Sequence, residues 1–403
     1  MSVLNGKKIL LGISGGIAAY KTATLVRLFI KAGAHVQVIM TPASKDFITP
    51  LTLSTLSKNP VYSSFYDESE ENEKWNSHVE LGLWADLMVI TPATANTLSK
   101  MANGICDNLL IATYLSAKCP VYFAPAMDLD MYIHPSTMAS FKKLERYGNT
   151  MIPAESGELA SGLSGEGRMA EPENILAFLE ADIESRLPLK GKKILITAGP
   201  TYEAIDPVRF IGNHSSGKMG FDIAQSAVNF GASVILVSGP SNFTIVNNLI
   251  KVVRVISAQE MYETCHQYFG NVDVMIAAAA VADYKPKNVA SQKIKKSADN
   301  FTIELEKTND ILASLGEIKR NQFLIGFALE TENEIENAKL KIQKKNLDLI
   351  ILNSLQDQGA GFGKSTNKVT FIDKNFKVEP MELKSKEAVA NDILNKVIAH
   401  FHE

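Results

Sequence analysis

One pentapeptide, Gly-Lys-Lys-Ile-Leu, occurs twice in the chain, at Gly6–Leu10 and at Gly191–Leu195. Each copy opens a short apolar run, which leads into a glycine-bearing loop and then a helical pattern. That succession is how a βαβ unit begins. A single recurrence at such a distance marks two domain beginnings rather than an array of stacked repeats. The length agrees, because 403 residues are too many for one ordinary core. The domains are placed at 1–190 and 191–403. The linker falls near Arg186–Lys190, where the helical stretch Pro172–Arg186 ends in Leu-Pro-Leu-Lys.

Short apolar runs alternate with helical patterns in both halves. In the first, strands are predicted at Lys8–Ile13, His35–Met40, Leu87–Thr91 and Val121–Ala124, with helices at Ile17–Ala32 and Ser136–Tyr147. In the second, strands are predicted at Lys192–Thr197, Ser233–Val237, Val272–Ala277, Phe323–Ala328 and Leu349–Leu352. Helices are predicted there at Gly217–Phe230, Ala258–Phe269, Glu332–Lys345 and Lys384–His400. This alternation predicts an α/β fold, two Rossmann-like three-layer αβα domains with doubly wound sheets. Ligands then belong at the carboxyl ends of the strands.

Bulk properties exclude several classes. A net charge of -3 supplies no basic field for nucleic acid. Cys106, Cys119 and Cys265 are too few and too scattered for a disulfide framework or a cysteine-based zinc site, and a reduced cytoplasm is expected. The longest apolar runs, such as Met275–Ala282, fall far below the roughly 18 residues of a membrane helix. No membrane partner is expected.

In the first half, strand one runs into Gly12-Ile13-Ser14-Gly15-Gly16-Ile17, the second strand ends at Thr41-Pro42-Ala43, and the third ends at Pro92-Ala93-Thr94-Ala95-Asn96. GxGxxG is not met, so a dinucleotide fingerprint is absent. Three small, hydroxyl-rich strand ends suit a mononucleotide cradle instead. The runs GISGGIAAYK, MTPASKDF, HVELGLWADLMVITPATANTLSKMANGICDN and PAMDLDMY, occurring in this order, resemble the flavin-containing cysteine decarboxylases. The resemblance covers nearly all of the first ~185 residues. It implies a flavodoxin-like flavoprotein domain that binds flavin mononucleotide (FMN), with Ser14, Gly15, Thr41, Ala93, Thr94, Ala95 and Asn96 against the flavin. It also implies that His78 is the active-site histidine. The reaction oxidises a cysteinyl thiol to a thioaldehyde, releases the neighbouring carboxylate as CO2, and reduces the enethiol that remains. Flavin carries the electrons; the protein moves protons and orients the substrate.

Two positions depart from the family. Its PAMN motif is here Pro125-Ala126-Met127-Asp128, and an ionised Asp128 repels a substrate carboxylate that an amide would hold. Its LACG-type loop is here Leu159-Ala160-Ser161-Gly162, so Ser161 replaces the cysteine that donates the last proton. A serine hydroxyl is a far weaker acid than a thiol of pKa about 8.5. Three outcomes follow. The reaction stalls at the enethiol, Cys106 substitutes, or a protonated Asp128 supplies both hydrogen bond and proton. The last is favoured because the two departures then compensate. The stretch Ser156–Gly167 reads as a glycine-rich lid.

In the second half, Gly212-Asn213-His214-Ser215-Ser216-Gly217-Lys218-Met219 approximates a phosphate-binding loop, but Met219 replaces the magnesium-binding hydroxyl and no strand is predicted directly before it. The amides that open the next helix can still hold an anion. The longer series is TAGPT at Thr197, the Asp206-Pro207-Val208-Arg209 run, the Asn213 loop, AAAAVAD at Ala277, KIKK at Lys293, NDIL at Asn309 and GFALET at Gly326. It resembles phosphopantothenate–cysteine ligase of the bacterial, CTP-using type. The resemblance implies a C-terminal ligase domain with a mostly parallel sheet. CTP contacts are then Ala277, Ala278, Ala279, Asp283, Lys293, Asn309, Asp310, Ile311, Leu312, Phe327, Lys341 and Lys345. Lys293 is implied in forming an acyl-cytidylate and Asn213 in converting it to product. Lys341 and Lys345 lie four apart on one helical face and can reach one polyphosphate. A divalent cation, magnesium or manganese, is expected to offset phosphate charge, with ligands left open.

The expected protein is a bifunctional enzyme of coenzyme A biosynthesis acting on 4'-phosphopantothenate, L-cysteine and CTP. The resemblance also implies a homo-oligomer, with trimer-forming flavin domains, dimer-forming ligase domains and the flavin site at a subunit contact. The rivals are a ligase whose flavoprotein domain has lost or altered its decarboxylation, and a non-enzymatic regulatory flavoprotein. The latter relies on added acidic segments, and this chain has only the short Asp67–Glu73 stretch.

Overall fold

A computed structural model describes residues 2–66, 75–159, 162–295, 301–330, 332–354 and 364–402. The chain divides into two compact units, Met1–Ser185 and Arg186–Glu403. Asp67–Glu73 and Ser161 lie outside the described residues.

The first unit runs β1 (Lys8–Ile13), α1 (Thr22–Lys31), β2 (His35–Met40), α2 (Pro50–Ser57), β3 (Val61–Tyr62), α3 (His78–Trp84), β4 (Leu87–Ala93), α4 (Ala95–Asn103), α5 (Leu109–Ser116) and β5 (Val121–Pro125). It continues with α6 (Leu129–Ile133), α7 (Pro135–Arg146), β6 (Thr150–Met151), β7 (Glu155–Glu158), β8 (Ser164–Arg168) and α8 (Pro172–Ser185). The main sheet has order β3-β2-β1-β4-β5-β6 and every pairing is parallel. Without the two-residue edge strand β3, this is the flavodoxin-like order.

Strand side chains alternate between two cores. Ile9, Leu11 and Ile13 pack with Leu25, Phe29 and Leu179 of α1 and α8. Leu10, Met88 and Ile90 pack with Leu98, Leu110 and Leu144 of α4, α5 and α7. Both sheet faces are therefore covered, which is why the strands read as continuous apolar runs. Each such fully buried side chain contributes about 1.5–3 kcal/mol.

The helix predicted over Ile17–Ala32 begins instead with a 3-10 turn at Ile17–Lys21 before α1 starts. Tight turns of this kind are common at helix starts. Thr22 stabilises it by donating to the Ala19 carbonyl at 2.6 Å. The lid predicted over Ser156–Gly167 contains an antiparallel hairpin, β7 against β8.

The second unit runs β9 (Lys193–Ala198), β10 (Tyr202–Ala204), β11 (Phe210–Gly212), α9 (Lys218–Asn229), β12 (Ser233–Ser238), β13 (Ile250–Arg254), α10 (Ala258–Phe269), β14 (Val274–Ala277), β15 (Tyr284–Pro286) and β16 (Leu305–Lys307). It continues with α11 (Ile311–Ile318), β17 (Phe323–Glu330), α12 (Glu334–Lys344), β18 (Leu349–Ser354), β19 (Thr366–Asn367), β20 (Val369–Asp373), β21 (Val378–Pro380), β22 (Lys384–Ser385) and α13 (Lys386–His402). The large sheet has order β13-β12-β9-β14-β17-β18-β20-β21. Only the β20 and β21 pairings are antiparallel. Its two cores follow the same alternation, Ile194 and Ile196 with α9 and α13, Leu195 and Met275 with α10, α11 and α12. A strand, β11, does precede the Gly212–Met219 loop, contrary to expectation. It belongs to a small ribbon with β10 and not to the main sheet. Among the described residues, no helix is long and apolar enough to cross a membrane.

Helix α9 lies close on β9. A Cβ added at Gly220 would stand 2.5 Å from Ala198 Cβ and 3.0 Å from the Thr197 carbonyl oxygen. Overpacking of this kind costs about 1–3 kcal/mol. Gly220→Val is expected to lower the thermal midpoint accordingly, and calorimetry on the full chain checks it.

Candidate active sites

In the first unit a cavity of about 970 Å³ opens where the strand order reverses, between β1 and β4. Its walls are Gly15–Ala18 after β1, Thr41–Ala43 after β2, Thr94–Thr97 after β4, Ala126–Asp128 after β5, and Glu158, Leu159 and Gly167–Met169 around the hairpin. The first two loops touch: a Cβ on Gly15 would fall 2.7 Å from Ala43 Cβ. Only glycine permits that approach. Ser14 and Ala93 are buried outside the lining. Ser14 Oγ donates to the Pro92 carbonyl at 2.6 Å and accepts from the Thr94 amide at 3.0 Å, so it fastens β1 to the end of β4.

Thr41 is 8% exposed, and its hydroxyl has no hydrogen-bond partner among the described residues. Buried polar groups are almost always paired. An orphan hydroxyl in a cavity wall is therefore what a missing polar ligand leaves. Helix α4 begins at the same wall with no side-chain cap, so its first amides face the same need. Lys21 and Arg168 add positive charge. Both pair with Glu171, at 2.8 and 2.6 Å. The Lys21 hydrogen bond, chiefly, holds the Glu171 carboxyl below its usual range. Orphan hydroxyl, open helix start, glycine approach and two cations fit a phosphate-bearing flavin.

His78, at the start of α3, does not line this cavity. Its ring meets Phe65 and Trp75 edge-on at 6.2 and 6.5 Å, and its Nδ1 is buried without a partner among the described residues. Asp128 does line it, and also caps α6 by accepting from the Leu129 amide at 2.8 Å. Cys106 is exposed between α4 and α5, outside the lining.

In the second unit a cleft of about 630 Å³ lies at the carboxyl ends of β9, β14, β17 and β18. Ala277–Ala279, Asp283, Asn309–Leu312, Phe327, Lys341 and Lys345 all line it, as does Asn213. Asn213 donates to the carbonyls of Ala280 and Val281 at 3.0 and 3.1 Å and so holds the loop after β14. Asp310 caps α11 and pairs with Lys345 at 2.8 Å. Burial pushes the Asp310 carboxyl up, but hydrogen bonds from Lys345 and the Ala313 amide outweigh it, and the carboxyl rests below its usual range. Lys341 pairs with Glu330.

Lys293 is exposed and stands outside the lining. Its segment is anchored elsewhere: Asp206 accepts from the Ile294 amide at 3.1 Å, and Arg209 donates to the Ile294 carbonyl at 2.8 Å. The Arg209 guanidinium, chiefly, holds the Asp206 carboxyl well below its usual range. Sequence reasoning missed Lys21, Arg168, Asn353, Asn367 and Lys386, which also line the two cavities. Asn353 had a legible signal, standing at the polar end of a buried strand run. Lys386 opens a helix and reads as solvated. Among the described residues, no group of three or more His, Cys, Asp or Glu side chains converges as a metal site.

Residues 2–184 match the family model described as Flavoprotein, and residues 189–401 match the one described as DNA/pantothenate metabolism flavoprotein C-terminal domain. A Cysteine/Cysteine sulfinic acid decarboxylase from an unknown prokaryotic organism is 52% identical over 360 residues, covering 88% of this chain and 100% of that protein. The coenzyme A biosynthesis bifunctional protein CoaBC of Bacillus subtilis (strain 168) is 44% identical over 399 residues, covering 98% of each chain. That of Vibrio vulnificus (strain YJ016) is 45% identical over 401 residues, again covering 98% of each.

The two α/β units and their strand-end clefts define an enzyme of the flavoprotein class, with a second α/β domain on the same polypeptide. Within that class, the chain belongs to the family of coenzyme A biosynthesis bifunctional proteins, CoaBC.

Two outcomes test the first cavity. Thr41→Val removes a hydroxyl that has no partner in the ligand-free chain, so the ligand-free thermal midpoint should hold or rise. Flavin affinity, read by fluorescence titration, should fall about five- to tenfold, the worth of one net hydrogen bond of about 1 kcal/mol. For Glu171 the folded carboxyl titrates below its unfolded value. Its pairing with Lys21 and Arg168 thus stabilises fully above the ordinary glutamate pKa of about 4.3 and is lost as pH falls through the folded value. The midpoint difference between wild type and Glu171→Gln should be full near neutrality and vanish in acid.

Proposed function

We propose that the C-terminal unit joins 4'-phosphopantothenate to L-cysteine at the expense of CTP, and that the N-terminal unit decarboxylates the product to 4'-phosphopantetheine with FMN. The reading is carried by one observation: each unit of a CoaBC-family chain holds its own cleft at the strand ends, one with an orphan hydroxyl and an open helix start, the other ringed by lysines. In the ligase, the substrate carboxylate attacks the nucleotide α-phosphate, giving an acyl-cytidylate and pyrophosphate. The cysteine amine then displaces CMP. Lys341 and Lys345 exchange Glu330 and Asp310 for phosphate oxygens when the triphosphate arrives. Magnesium or manganese enters with the polyphosphate and offsets its charge.

FMN, when bound, supplies the two-electron chemistry at the substrate sulfur. Thr41, the α4 amides, Lys21 and Arg168 hold its ribityl phosphate and ring edge. His78 takes the thiol proton. It does so in the cavity of a neighbouring subunit, a reading supported by its distance from its own cavity lining and by the exposed Val79 and Leu83 on the same helix. The protein is then a homo-oligomer.

Asp128 favours a second reading of this cavity. A carboxylate there attracts an ammonium, which a free β-sulfur amino acid carries and an amide-linked cysteine lacks. The relative at 52% identity, a cysteine and cysteine sulfinic acid decarboxylase, supports it. Asparagine caps helices as well as aspartate does, so Asp128→Asn preserves α6. The test is CO2 release from 4'-phosphopantothenoylcysteine, free cysteine and cysteine sulfinate by wild type and Asp128→Asn. The first reading predicts wild-type turnover of the pantothenoyl substrate and its loss, tenfold or more, in the variant, which lacks the acid. The second predicts wild-type turnover of a free amino acid and the opposite trend for the pantothenoyl substrate. Unchanged rates on every substrate would remove Asp128 from the chemistry.

A further inference from the structure

The second cleft holds one lysine unlike its neighbours. Lys218 is paired with Asp222 at 2.6 Å, Lys341 with Glu330 and Lys345 with Asp310, and all three are half-buried, while Lys307 is exposed to solvent. Lys386 is only 6% exposed, lines the same cleft, and has no hydrogen bond or ion pair to its ammonium among the described residues. Burying an unpaired cation is costly, and such groups are normally matched to an opposite charge.

The backbone brings this lysine to the wall deliberately. Strand β19 pairs with β22, Asn367 opposite Lys384, and the Lys386 amide donates to the Ser365 carbonyl at 3.1 Å. Asn367 is 5% exposed. It donates to Asn353 Oδ1 at 3.0 Å, while its own Oδ1 is buried without a partner among the described residues. Turning both amides over keeps the bond between them and changes the orphan atom from acceptor to donor. Helix α9, twelve residues long, starts at the same cleft from Gly217, whose φ is 84° and which has no side chain to cap it; Ser215 and Ser216 hydroxyls accept only long bonds, 3.3 and 3.4 Å, from the Gly217 and Lys218 amides. The N-terminal amides of such a helix attract anions.

We infer that Lys386, with Lys218, the α9 amides and the Asn353–Asn367 pair, forms a binding pole for a phosphoryl group in the C-terminal cleft. Burial, and then the Lys218 charge, push the Lys386 ammonium down, with Asp222 partly opposing. An arriving phosphoryl oxygen reverses that balance. The inference rests on the ligase reading for the source of the group, which is either the nucleotide polyphosphate or the phosphate of the acyl substrate.

The test uses the full chain and Lys386→Met, which keeps the length and removes the charge. In wild type, inorganic pyrophosphate should bind by calorimetry. In the variant its affinity should fall tenfold or more, while the ligand-free thermal midpoint rises, because an unpaired buried charge has gone. A merely structural lysine would lower the midpoint and leave the affinity alone, which overturns the pole. Steady-state ligation separates the sources: a selective rise in KM for CTP assigns the polyphosphate, and one for 4'-phosphopantothenate assigns its phosphate. No change in either overturns the proposal. Should Lys386→Met fail to fold, Asn367→Asp puts a negative charge at the same wall with little change in volume. It should weaken pyrophosphate binding at least tenfold, and unaltered binding overturns the pole. Wild-type protein that binds pyrophosphate but makes none from CTP overturns the ligase reading and leaves the pole standing.

Discussion

A parallel strand buried on both faces has no side chain to spare for water or ligand. The interiors of the central strands of the two main sheets are given over to packing, Ile9 to one side and Leu10 to the other, Ile194 to one side and Leu195 to the other. Polar chemistry can then appear only where the strands stop. The carboxyl edge is where loops leave the sheet and helix starts expose unpaired amides. Both cavities lie there. The repeated Gly-Lys-Lys-Ile-Leu is the sequence trace of that constraint, since each copy feeds the first buried strand of a sheet.

Close loop approach is the second consequence. Gly15 against Ala43 brings two loops of the first cavity together, and Gly220 against Ala198 seats α9 on β9 behind the second cleft. The walls differ electrically. In the first cavity Lys21 and Arg168 share one carboxylate, Glu171. In the second, three lysines each hold a carboxylate of their own, Lys307 is exposed, and the buried Lys386 holds none among the described residues. On the proposed ligase reading, a polyanion in the second cleft exchanges partners at three lysines and gives Lys386 one.

Buried strands and long amphipathic helices were legible because their periodicity is dictated by packing. Ala258–Phe269 was read to the residue, and β1 and β2 likewise. Strand β20, the edge strand β21 and the β7–β8 hairpin were not: all are only three to five residues long, β21 and the hairpin are partly exposed, and the hairpin is glycine-rich, so little apolar content marks them. Site residues at strand ends were also legible: Thr41, Thr94–Asn96, Ala277–Ala279 and Phe327 all line the expected clefts. Where the reading relied on motif alone, placement diverged. His78 and Lys293 lie outside the cavities, and Ser14 serves the wall from behind. Lys386 was invisible because burial of a helix-opening lysine is a property of the fold around it, not of its neighbours in sequence.

The central claim is that one chain carries two independent nucleotide clefts. Hydrogen exchange read by mass spectrometry tests it directly on the full-length protein. FMN should slow exchange in residues 14–18, 41–43 and 94–97 and leave 213–220 and 277–283 unchanged. CTP with magnesium should do the reverse. Protection of both sets by one ligand, or of neither set by its own, would contradict the account.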